Sequence, residues 1–135
     1  MVIFGFLKNL FVEKPPAKNQ KECEAFVDAI VYCMIVARRI EPEEMELVEG
    51  KAHLLPWKST QPVADFVRES MTRAVQKMGL SDKAIEYCKD IRKRLRSEEV
   101  REYTLKMCER MVEEDGVTRA SESQFLTLLT RRLRK

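Results

Sequence analysis

The residues best suited to chemistry form an acidic turn ahead of Gly116, a residue that tolerates the positive φ of a tight turn. Apolar residues recur at helical spacing on both sides, which predicts helix, turn and helix. Carboxylates and turn carbonyls suit a hard cation such as Ca²⁺, which takes six to eight oxygens at about 2.3–2.6 Å. The candidate metal ligands are Glu113, Glu114, Asp115 and Glu122.

The run DGVTRASE also matches the second half of a calcium-binding EF-hand loop, with glycine at the sharp turn and Glu122 at the last position. In that register the first ligand position falls on Met111, which offers no oxygen. We therefore expect at most a weakly bound divalent cation. The alternative needs no metal: Asp115 and Gly116 make the turn, Thr118 caps the next helix, and Glu122 interacts with its dipole.

A second charged feature is a stripe of four basic residues at positions i, i+3, i+4 and i+7 of a predicted helix. Phosphate binding is one interpretation, but acidic residues interleave with the stripe, and stacking aromatics are missing. The net charge of +3 is also too small to require a nucleic-acid partner. The sequence favours a solvated face that is available to a protein partner, formed by Lys89, Arg92, Lys93 and Arg96.

The remaining reactive residues predict no catalysis. The four cysteines are scattered without a CxxC pair, and His53 is the single histidine. A zinc site, a disulfide framework and a catalytic dyad are therefore not expected, and reduced thiols in a cytoplasmic protein are. The four glycines are isolated, so no phosphate-binding loop is predicted. We expect no enzyme and no cofactor beyond the weakly bound cation.

Residues 1–18 are predicted to form an amphipathic helix followed by a stiff tether at Pro15-Pro16. The helix is too short to span a bilayer. It is expected to dock on the domain or to form a homodimer contact. The alternative is an interfacial anchor that places the protein at the surface of the inner membrane. The membrane-facing candidates are Ile3, Phe4, Phe6, Leu7, Leu10 and Phe11.

Residues 19–135 are predicted to form one all-α domain. Gly and Pro number only 4 and 5, and helix-forming residues dominate. The segment from Asn19 to about Arg39 is apolar nearly all round, which is typical of a helix in the centre of a bundle. Four helices are predicted to follow. The first runs from Pro42 to about Leu55, and the second is capped by Ser59 or Thr60, has Pro62 in its first turn and stops at Gly79. The third is Asp82–Arg96 after a Ser81 cap, and the fourth begins after a Ser97 cap.

The chain also carries a weak internal repeat. A shift of 78 positions places Glu44 on Glu122 and pairs apolar residues such as Val27 with Leu105 and Ile30 with Cys108. Each half then holds a helix, a tight turn, an acidic helix start and an apolar run. The prediction is a single-domain bundle of six to seven helices built from a degenerate duplicated helical hairpin.

The two halves resemble a known family. The run EEDGVTRASESQFLTLL looks like the A-D-G-x-I-x-x-x-E-x-x-x-L signature of TerB-like tellurite-resistance domains, and IVARRIEPEEMELVEGKAHLL looks like its first copy. Ala37-Arg38 stands where the first copy should read Asp-Gly, which puts a shared metal site in doubt. The resemblance implies a bacterial stress-response module that binds a protein partner, with a metal-binding or metal-sensing stress protein as the alternative. The matching positions are Ile40, Pro42, Glu43 and Glu44, then Asp115, Gly116 and Glu122.

Overall fold

The structure is a computed structural model that describes residues 16–37, 55–77 and 81–115, with the single positions 46, 49, 52, 53, 127, 130 and 131. No strand occurs in these ranges. This part of the chain is all-helical, as the sequence predicted. Its bounded helices are α1 (Gln20–Ala37), α2 (Val63–Lys77), α3 (Ser81–Arg94) and α4 (Glu98–Asp115).

Helix α1 lies in the centre of the described bundle. Ten consecutive residues, Ala25 to Met34, are buried. Helices α2, α3 and α4 all pack against α1, whereas α2 and α3 contact each other little. A helix that is apolar on every side must be covered on every side. The predicted central position is therefore confirmed.

The surrounding helices each bury one face against α1. Trp57, in the segment before α2, adds a half-buried ring to this core. Its ring centroid lies 5.2 Å from that of Phe66, and its Nε1 donates to the Gln61 carbonyl at 2.8 Å. The main apolar contributions are Val63, Phe66, Val67 and Ala74 from α2, Tyr87, Cys88 and Ile91 from α3, and Val100, Leu105 and Cys108 from α4.

Side-chain caps set the first turns of α1 and α4. Asn19 Oδ1 accepts the Glu22 amide at 2.9 Å, and Ser97 Oγ accepts the Val100 amide at 3.2 Å. The predicted Ser97 cap is thus confirmed. Both bonds satisfy an amide that the helix itself leaves unpaired.

Both predicted bounds of α3 were wrong by one or two residues. The helix begins at Ser81, which was predicted to cap it. Helix α3 ends at Arg94 rather than at residue 96. The carbonyls of residues 95 and 96 instead accept Arg101 Nη1, both at 2.9 Å. Helix α2 begins at Val63, and Ser59 Oγ accepts the Gln61 amide in the turn before the helix, so Ser59 does not act as the predicted cap.

The buried carboxylate of Glu22 ties the start of α1 to the turn between α3 and α4. Its Oε1 accepts the Lys18 amide at 2.9 Å and its Oε2 accepts the Ser97 amide at 3.1 Å. Replacing Glu22 by alanine leaves both amides without an acceptor, so we expect the free energy of unfolding to fall by about 2 kcal/mol. Urea denaturation of the two proteins measures this. Glu24→Ala, which removes only the bond from Gln20 within α1, is the control, and an equal loss there would contradict the assignment.

Candidate functional site

The most unusual side chain in the core is a carboxylate within the apolar run of α1. Asp28 is 1% exposed and lies between buried Val27 and Ala29. A buried charge is stable only when it is paired and hydrogen-bonded. Asp28 Oδ1 accepts Ser70 Oγ at 2.6 Å and Arg73 Nη2 at 2.7 Å, and Asp28 Oδ2 accepts Arg94 Nη2 at 2.8 Å.

Three helices supply this group of residues. Helix α1 places Asp28 beneath the junction of α2 and α3, where α2 contributes Ser70 and Arg73 and α3 contributes Tyr87 and Arg94. Because α2 and α3 contact each other little, polar groups join them here through Asp28. We call these five residues the Asp28 cluster.

The two guanidinium groups extend from the buried carboxylate to the protein surface. The side chain of Arg73 is 33% exposed and that of Arg94 is 21% exposed. Exposed carboxylates meet them outside: Asp90 Oδ2 lies 2.8 Å from Arg94 Nη2, and Glu69 Oε1 lies 3.9 Å from Arg73 Nη1. Such exposed pairs contribute little free energy. The positions of the two arginines are therefore set mainly by Asp28.

Ionisation in the cluster is fixed by burial and by Asp28. Burial alone lowers the pKa of Arg73, but the charge of Asp28 and its hydrogen bond outweigh burial and leave that pKa raised. The pKa of Tyr87 is raised by burial and then by the charge of Asp28. Tyr87 therefore keeps its proton at neutral pH and remains a hydrogen-bond donor.

Two buried polar atoms of the cluster lack a hydrogen-bond partner. They are the hydroxyl of Tyr87 and Nε of Arg94. Arg73 lies beside the Tyr87 hydroxyl, but not with the geometry of a hydrogen bond. Unpaired buried donors cost free energy and are uncommon in native proteins. The arrangement therefore offers two N–H or O–H donors to an oxygen acceptor.

The four cysteines are buried, reduced thiols. Cys33 Sγ donates to the Cys108 carbonyl at 3.7 Å, and Cys108 Sγ donates to the Ala29 carbonyl at 3.9 Å, so both thiols lie at the contact of α1 with α4. Burial, followed by the charges of Glu22 and Glu24, raises the pKa of Cys23 to about 11. A hydrogen bond with Cys33 and burial raise the pKa of Cys108.

We expect these thiols to be unreactive in the folded protein, because the thiolate is the nucleophile and burial opposes it. A chromogenic disulfide reagent should label none of the four at pH 8 without denaturant and all four in urea. Because folding raises the pKa of Cys23 above its usual 9.0, the stability from keeping this thiol neutral is complete below pH 9. It is lost as the pH rises toward 11. Rapid labelling of Cys23 in the native protein at pH 8 would contradict this.

Lys89, Arg92 and Lys93 of the basic stripe lie on α3, as the sequence placed them, and Arg96 lies in the turn after it. Lys89, Lys93 and Arg96 are exposed, and Arg92 is half-buried. Tyr87 and Arg94 face inward on the same helix. Of the predicted acidic turn, the structure places Glu113, Glu114 and Asp115 in the last turn of α4 as far as the described residues extend. The four candidate carboxylates, Glu113, Glu114, Asp115 and Glu122, lie outside the residues whose side chains are described.

Sequence reasoning missed the Asp28 cluster, although one signal was present. A single acidic residue inside the run FVDAIVYCMIVA predicts a buried charge that needs a basic partner. The identity of the partners carried no local signal, because Ser70 and Arg73 lie 42 and 45 positions away.

Some of the other predicted features lie within the described residues and some lie outside them. His53 is exposed. The membrane-facing candidates between residues 3 and 11 lie outside the described residues. Within the described ranges no group of three or more His, Cys, Asp or Glu side chains is arranged to hold a metal ion, and no helix has the length and apolar content needed to cross a bilayer. Comparison of the chain with known protein families, with curated proteins and with solved structures gave no match.

Proposed function

We propose that this chain is a TerB-like interaction module of a bacterial stress response, which binds a protein partner and is not an enzyme. The observation that carries this proposal is the spacing of α1 and α4 along the chain. They begin 78 positions apart, at Gln20 and Glu98, which is the shift that aligned the two halves of the sequence. This register supports the resemblance to TerB-like domains and, through it, the interaction role.

The caps of these two helices support the same duplication. Asn19 and Ser97 are equivalent under the shift, and each caps its helix by accepting the third amide beyond it. The apolar pairs Val27 with Leu105 and Ile30 with Cys108 are buried in both halves. A duplicated hairpin in a bundle of six to seven helices accounts for all three correspondences, and the proposed fold includes it.

The proposed partner surface is the exposed basic face of α3 together with Arg96 in the turn that follows the helix. Lys89, Lys93 and Arg96 point into solvent while Cys88 and Ile91 anchor the opposite side of the helix in the core. A rigid helix that presents cations on one face suits an acidic protein surface, because complementary charge accelerates and orients association.

The alternative ligand for this face is a nucleic acid. Exposed Asp82, Glu86 and Asp90 on the same helix weaken the positive field that phosphates require. Tyr87 is buried, so it is not available to stack on bases. These observations favour a protein partner.

Affinity purification of the tagged full-length chain from cells that express it natively tests the proposal. We expect an acidic protein to co-purify, to bind again as a pure protein, and to dissociate as salt rises. The Lys89→Glu, Lys93→Glu, Arg96→Glu variant should bind this partner about tenfold more weakly or worse. An effect of that size is typical of charge pairs across an interface.

The control reverses the exposed Lys21 and Lys106, which lie on α1 and α4. It should retain the partner. Recovery of no protein, equal recovery with the α3 variant, or loss of the material after nuclease treatment would each overturn the proposal, the last in favour of a nucleic acid.

A further inference from the structure

We propose that the Asp28 cluster is a binding site for one carboxylate group, which Tyr87, Arg94 and Arg73 hold at the junction of α2 and α3. The starting observation is the pair of buried donors without acceptors, the Tyr87 hydroxyl and Arg94 Nε. Tyr87 is 5% exposed, and its hydroxyl is close enough to Asp28, Arg73 and Arg94 for their charges to affect it. Both donors therefore belong to one small polar region.

The charge of the cluster selects a monoanion. Its buried part sets two guanidinium groups against a single carboxylate, that of Asp28. Exposed Asp90 now supplies the second negative charge. A carboxylate that replaces Asp90 keeps this balance, whereas a doubly charged phosphate would exceed it. Oxygens of a carboxylate can accept two donors at once, and guanidinium groups recognise that geometry well.

Access runs along the outer edges of the two arginines. Arg73 and Arg94 are 33% and 21% exposed, so each extends from Asp28 to solvent. On that outer side Asp90 occupies Arg94 Nη2 at 2.8 Å from a side chain that is itself 55% exposed. Because an exposed ion pair is weak, an incoming carboxylate can displace Asp90 from Arg94. Asp90 is therefore an internal competitor for the site.

The test uses the full-length chain labelled with ¹⁵N and follows the Arg Nε–Hε signals by NMR, assigned with Arg73→Lys and Arg94→Lys. Sodium acetate is titrated against sodium chloride at equal ionic strength. We expect a saturable shift of the Arg94 signal with acetate alone. Tyr87→Phe should weaken binding by about tenfold, the effect of one hydrogen bond to a charged group. Tyr103→Phe, a half-buried tyrosine of α4, is the matched control and should not change it.

Asp90→Asn provides a second variant that does not disturb the core, and it should tighten acetate binding. A capped Gly-Gly-Glu-Gly-Gly peptide, compared with its Gln counterpart, distinguishes the source of the carboxylate. Tighter binding of the Glu peptide than of acetate indicates a protein side chain, and the reverse indicates a small acid. Either result supports the site.

Three results would overturn the inference. They are a shift that follows chloride as closely as acetate, a shift that does not saturate, and an acetate affinity that Tyr87→Phe and Asp90→Asn both leave unchanged. In those cases an ordered water satisfies the two donors. The inference is separate from the proposed function, because Tyr87→Phe should weaken acetate binding and leave partner binding at the exposed Lys89, Lys93 and Arg96 unchanged.

Discussion

Replacement of Asp28 by alanine is expected to lower the free energy of unfolding by about 3–5 kcal/mol, because it leaves two partly buried guanidinium groups without their common counter-ion. Arg73 and Arg94 now each lie within 2.8 Å of this carboxylate. Without it they must either remain unpaired beside the core or withdraw and open the junction of α2 and α3. Urea denaturation followed by circular dichroism measures the change.

Two further variants separate charge pairing from loss of packing. Asp90→Ala removes only an exposed partner of Arg94 and should cost less than about 1 kcal/mol. The triple variant Asp28→Leu, Arg73→Met, Arg94→Met removes every charge and should recover much of the stability that the single change loses, as apolar replacements of buried ion pairs do elsewhere. Equal stability of Asp28→Ala and Asp90→Ala would show that the Asp28 cluster does not hold the helices together.

The second large effect is expected at Phe26, in the centre of α1. The ring is 1% exposed, and its centroid lies 5.8 Å from that of Tyr103 on α4. Phe26→Ala removes apolar area and leaves a cavity in a close-packed core, so we expect a loss of about 3–5 kcal/mol. Thermal and urea unfolding of the purified variant measure it.

The matched control is Val75→Ala on α2, where the side chain is 56% exposed. This change should remain within about 0.5 kcal/mol of the parent protein. Phe26→Leu should fall between the two, since leucine fills part of the space. A Phe26→Ala protein as stable as Val75→Ala would mean that α1 is not the centre of the fold.

The local features of this chain were predictable because the physics behind them is local. An apolar run without a polar face predicts a central helix, and α1 is one. A serine before two glutamates predicts a helix start, and Ser97 caps α4. The predicted end of α3 was wrong where a distant side chain acts, because Arg101 of α4 bonds to the carbonyls of residues 95 and 96.

The candidate site was not predictable in the same way. Whether an arginine of α3 faces solvent or Asp28 depends on how α3 is rotated against α1, and helical spacing on α3 alone does not determine that rotation. The argument from spacing assigned four basic residues to one outer face, Lys89, Arg92, Lys93 and Arg96, and passed over Arg94 between them. Arg94 faces inward to Asp28, and Arg92 is half-buried. The metal interpretation of the acidic turn stays a prediction.

The central position of α1 has a consequence for synthesis on the ribosome. The partners that cover one side of α1 lie on α4: Cys33 and Cys108 meet although 75 positions separate them. Translation at about 5–20 residues per second delays the covering helix by roughly 4–15 s. During that interval the side of α1 that α4 will cover stays exposed on the nascent chain. Chaperones that shield unfinished chains bind apolar surfaces of this kind.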